Sequence, residues 1–101
     1  MPTIVYRYRF QGSVRCEDVE AALLLSLFAC ESLHGESQFL LDKAHYLDWN
    51  RRACVIEAET QVGRDLNRIF VGFLRREHGR DGFRVERVTE PVTENRKVQT
   101  S

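Results

Sequence analysis

The feature that most constrains this chain is the order in which its hydrophobic periodicity changes. Ile4, Tyr6, Tyr8 and Phe10 alternate with Val5, Arg7, Arg9 and Gln11, the two-residue repeat of a strand with one buried face. Gly12 and Ser13 end it. From Glu17 to His34 the repeat becomes helical and Ala, Leu and Glu dominate, all good helix formers. Acidic Glu17, Asp18 and Glu20 stand in the first turns, where they suit the partial positive charge of a helix start, and Gly35 supplies a stop.

Gln38–Leu47 and Arg52–Glu59 then read as two strands, joined by a hairpin turn at Asp48-Trp49-Asn50-Arg51. Thr60 suits the N-cap of a second helix, in which Val62, Leu66, Ile69, Phe70 and Phe73 recur at three and four residues. Gly79 closes that helix, and Phe83 and Val85 alternate with Arg84 and Glu86 in a last strand. Gly63 and Gly72 are expected to permit close helix packing.

The order is therefore β-α-β-β-α-β. Right-handed crossovers interleave two such halves into one antiparallel sheet. The expected fold is an α+β, ferredoxin-like split-βαβ sandwich. Its four-stranded antiparallel sheet has both helices on one face and the spatial order fourth, first, third, second strand. A chain of 101 residues suits one hydrophobic core. Residues 1–90 are read as a single α+β domain, and 91–101, which lack periodicity, as a flexible C-terminal tail.

The helices should cover Tyr6, Tyr8, Phe10, Ile56, Phe83 and Val85. Arg7, Arg9, Glu57, Glu59, Arg84 and Glu86 should lie on the wet face, where opposite charges pair across strands.

Charge narrows the function classes. Lysine plus arginine equals aspartate plus glutamate at 15 each, so nothing attracts nucleic acid or an anionic membrane globally. Locally the first helix is acidic and the second basic, a distribution that suits docking. Cys16, Cys30 and Cys54 form no CxxC pair or disulfide framework; Cys30 and Cys54 are expected in the core. Without a secretory leader or a span-length apolar run, the expected location is cytoplasmic, with no membrane partner.

The first helix carries the main functional signal. Val19, Ala22, Leu25, Ala29 and Leu33 are expected to face the sheet, with Glu17, Glu20 and Glu31 in water. Leu24, Leu27 and Phe28 do not fit the core stripe and sit near the glutamates, on the side expected to be exposed. Apolar residues beyond one face call for something else to bury them. The expected function is a non-enzymatic interaction or assembly domain, homodimeric through these three residues or docked to a protein partner, with the tail or the hairpin as an internal alternative cover.

A second class is an RNA- or anion-binding module built on the basic helix and its N-terminus: Thr60, Gly63, Arg64 and Arg68. Nucleic acid is weakly supported, since Glu57 and Glu59 repel phosphate. A small-molecule enzyme is the third class and needs Cys54, His45 or Tyr46 in reacting geometry. No catalytic residue, metal ligand set or cofactor motif is expected: no two of His34, His45 and His78 stand at i,i+4, and Cys16 neighbours acids that oppose a thiolate.

Overall fold

The structure, a computed structural model, describes residues 2–91. The elements are β1 (Pro2–Phe10), α1 (Cys16–His34), α2 (Glu36–Asp42), β2 (His45–Asp48), a 3-10 turn at Trp49–Arg51, β3 (Ala53–Glu57), α3 (Gln61–His78) and β4 (Phe83–Pro91). The strands form one antiparallel sheet in the order β2-β3-β1-β4, packed by helices on one face. This is the ferredoxin-like split-βαβ arrangement that the element order predicts.

Register explains why β1 is central. Tyr8 stands opposite Cys54 on β3 and Val85 on β4, and Phe10 stands opposite Phe83. One alternation therefore serves three strands. Tyr8, Phe10, Ile56 and Phe83 are buried against the helices, with Tyr6 and Val85 packed at the margin. α3 meets them with the row Val62, Leu66, Phe70 and Leu74, each at most 1% exposed. The Tyr8 and Phe70 rings lie 5.0 Å apart in a tilted pair, and the Tyr8 hydroxyl donates to Asn67 Oδ1. Burial pushes the Tyr8 phenol far above its ordinary pKa, so it stays a neutral donor.

Between the two halves the structure corrects the sequence reading. The strand expected over Gln38–Leu47 is a helix over Glu36–Asp42 followed by only four strand residues, His45–Asp48. Phe39 alone in α2 is buried, and Gln38 Nε2 donates to Asp42 Oδ2 one turn on at 2.5 Å. An i,i+4 bond around one anchored ring favours the helix over an edge strand. The hairpin does not turn at 48–51 alone. It tightens into the 3-10 turn and reverses at Arg52, which sits in the left-handed region at φ 51°. The Arg52 guanidinium donates to the carbonyls of Gln11 and Val14 and stacks 4.5 Å over Trp49. Those contacts hold a conformation that side chains with a Cβ disfavour.

β4 extends past the short run Phe83–Val85 to Pro91, pairing along the whole of β1. Of the tail expected over 91–101, Pro91 ends β4 opposite Pro2, and residues 92–101 lie outside the described residues.

The two α3 glycines differ. A Cβ on Gly63 would lie 1.9 Å from the Glu57 carbonyl oxygen, so only glycine lets the helix start approach the end of β3. A Cβ on Gly72 meets nothing within 4 Å. Gly63 fits the close-packing expectation and Gly72 does not. Chemical denaturation should therefore separate them: Gly63→Ala lowers stability by about 1–3 kcal/mol through overpacking, and Gly72→Ala raises it by about 0.5–1 kcal/mol through helix propensity. Equal effects at the two positions would contradict this packing.

Candidate functional site

α1 has two apolar rows of identical spacing. Val19, Ala22, Leu23, Ser26 and Cys30 are buried. Ala21, Leu24, Leu25, Phe28 and Ser32 repeat the same steps two residues on, about 200° around the helix, and are exposed. Leu24 is 52% exposed, Leu25 51% and Phe28 58%. Leu33, Leu40 and Leu41 are also exposed, so the large exposed hydrophobics among the described residues all lie on α1 and α2.

The expected phase of α1 needs correction. Leu25, Ala29 and Leu33, assigned to the sheet, face water, and Leu27, grouped with Leu24 and Phe28, packs partly buried against the core. The sheet side instead accepts Ser26, whose hydroxyl donates to the Ala22 carbonyl at 2.7 Å within the helix. A serine that satisfies itself in this way can be buried without a partner. Its polarity hides it from a hydrophobicity count.

Acids border the outward row. Glu17 and Glu20 are exposed at its start, and Glu31 is half-buried near its end. α3 presents Arg68, Arg75 and Arg76 to solvent.

The residues expected to hold an anion are engaged inside the chain. Thr60 Oγ1 accepts from the Gly63 amide at 3.0 Å, the N-cap bond of α3. Arg64 Nη1 donates to the Ala58 carbonyl at 3.1 Å and Nη2 to Gln61 Oε1 at 3.1 Å. Gly63 is buried, and Arg68 is the exposed member of the set.

The residues considered for enzyme chemistry are not assembled. On β2 and β3, Cys54 stands opposite Leu47, His45 opposite Ile56, and Tyr46 opposite Val55 on the other side of the sheet. Burial pushes the Cys54 thiol up to about 12 and lowers His45, so neither favours a thiolate-imidazolium pair. Cys16 is also raised, by desolvation first and then by its hydrogen bond to Glu20 at 3.3 Å.

α1 and α3 run antiparallel, and a histidine and an acid meet at each end of the pair. At one end His34 Nε2 lies 2.7 Å from Asp65 Oδ2. At the other, Asp18 of α1 lies beside Glu77 and His78 of α3. Among the described residues no clear catalytic site or metal centre is complete, and no helix is long and apolar enough to cross a membrane. Compared with protein-family models, curated proteins and solved structures, the chain matches none.

Two carboxylates give opposite pH signatures. Desolvation opposes charge on Asp65, but hydrogen bonds from Gln61 and His34 and the nearby cations outweigh it and hold its pKa down. Its stabilisation is present above the ordinary aspartate range and is lost as pH falls through the lowered value. Glu57 is raised by desolvation, then by Glu59 and Asp42. It favours folding below its ordinary range and loses that contribution as pH rises through the raised value. Thermal melts across pH should find Asp65→Asn destabilised and Glu57→Gln stabilised at neutral pH, with both differences shrinking toward strongly acidic pH. The same sign for both variants at neutral pH would refute this assignment.

Proposed function

We propose that this small globular domain is an interaction module that pairs with a second copy of itself through the outward row of α1. The observation that carries this reading is the position of Leu24, Leu25 and Phe28. They lie around residue 25, the midpoint of Cys16–His34, on the side of the helix turned away from the core. A two-fold contact uses the same patch on both subunits, and two antiparallel helices crossing at their centres bring such a patch onto itself. Covering the exposed half of each side chain contributes on the order of 1 kcal/mol, counted on both subunits.

Charge supports a second copy as the occupant. The acidic α1 of one subunit finds its complement in the exposed arginines of α3, so the helical layer is complementary to itself. An internal cover by the 45–57 hairpin is not favoured, because Leu24 and Phe28 remain exposed with that hairpin in place.

Sedimentation equilibrium over a range of concentrations tests the reading. The wild type should be a dimer whose dissociation constant rises with salt. Leu24→Glu combined with Phe28→Glu should give a monomer with unchanged circular dichroism, since both side chains lie outside the core. A wild-type chain that stays monomeric at the highest attainable concentration would overturn it.

A further inference from the structure

The buried row of α3 steps by four residues through Val62, Leu66, Phe70 and Leu74, and its next member is His78. An apolar row thus ends in an imidazole whose side chain is only 12% exposed. Its Nε2 is buried and makes no hydrogen bond. A helix C-terminus favours a protonated histidine, yet that field does not account for a nitrogen shut away from water without an acceptor, an arrangement that costs free energy.

The imidazole lies beside two carboxylates. Glu77 Oε2 is 3.9 Å from Nε2, and ligand atoms of Asp18, Glu77 and His78 all lie within 4.8 Å of one another. The opposite end of the same helix pair offers an internal comparison. There His34 and Asp65 close directly at 2.7 Å. At the His78 end the donors stand apart and a second carboxylate is added. Gly82 fixes the histidine's backbone from outside: a Cβ there would lie 2.5 Å from His78 Cβ and 2.6 Å from its carbonyl oxygen.

We propose that Asp18, Glu77 and His78 form a binding site for a divalent transition metal of the chemistry of Zn²⁺. One imidazole and two carboxylates are a donor set such ions accept, and three protein ligands leave one position for water. Bonds of about 2.0–2.1 Å in a tetrahedron place ligand atoms about 3.4 Å apart. Rotation of the two carboxylates, on side chains at helix ends, supplies the approach of about an ångström. The ion would give Nε2 its missing partner and join the start of α1 to the end of α3.

The test is isothermal titration of the chelator-treated full chain with Zn²⁺, and the visible spectrum of the same protein with Co²⁺. One Zn²⁺ per chain is expected, with an affinity that falls in acid because protons compete with the ion for the ligand atoms. Saturating Zn²⁺ should raise the melting temperature. His78→Ala and Asp18→Asn should each weaken binding at least about tenfold, as loss of one of three ligands requires; Cys16→Ser and His34→Ala should bind like the wild type. Asp18→Asn keeps the size of its side chain, so it decides the matter should His78→Ala fail to fold. No heat and no melting shift with Zn²⁺, binding that survives Asp18→Asn, or binding lost in Cys16→Ser would overturn the site.

Discussion

The contact of Tyr8 with α3 is the constraint on which the rest of the fold depends. Tyr8 is fully buried toward the C-terminal end of β1, the strand that pairs on both sides, and its ring and hydroxyl both reach α3. A buried phenol needs an acceptor, and Asn67 provides it one turn before Phe70. This fixes the rotation of α3 as well as its height above the sheet. Gly63 then fixes its start, where no side chain fits between helix and strand.

α1 has no comparable polar anchor toward the sheet. It packs through Val19, Ala22, Leu23, Ser26 and Cys30, and its place beside α3 is set at one end by the His34–Asp65 bond. Leu-rich on its outer side too, it gains little from its own subunit for Leu24, Leu25 and Phe28. The two helices therefore differ: α3 is amphipathic and spent on the core, while α1 leaves Leu24, Leu25 and Phe28 exposed, the area that the proposed association would cover.

The two ends of the helix pair are alike in composition and different in state. Each sets a histidine from a last turn near an aspartate of the other helix: Asp18 in the first turn of α1, and Asp65 in the second turn of α3. One closes as a hydrogen bond. The other leaves Nε2 buried without a hydrogen bond, on an imidazole that lies beside two carboxylates, and that difference gives the His78 end its chemical interest.

The sequence by itself determined the order of the four strands and the two long helices, the strand order in the sheet that follows from it, and the sheet face that the helices cover. Clean alternation in Ile4–Phe10 and an amphipathic α3 leave one way to bury each. It also marked Leu24, Leu27 and Phe28 as surplus to the core, and of these Leu24 and Phe28 are exposed while Leu27 packs against the core. Only the tertiary structure decided the phase of α1, because Val19–Cys30 and Ala21–Ser32 repeat the same spacing and a self-satisfied Ser26 sits in the buried row. Only it decided that residues 36–42 are helical, where a short apolar run with one anchoring ring fits either state. Asp18 and His78, far apart in the chain, meet because α1 and α3 run antiparallel over one sheet; periodicity reports which face of a helix is buried, not which neighbour its end will meet.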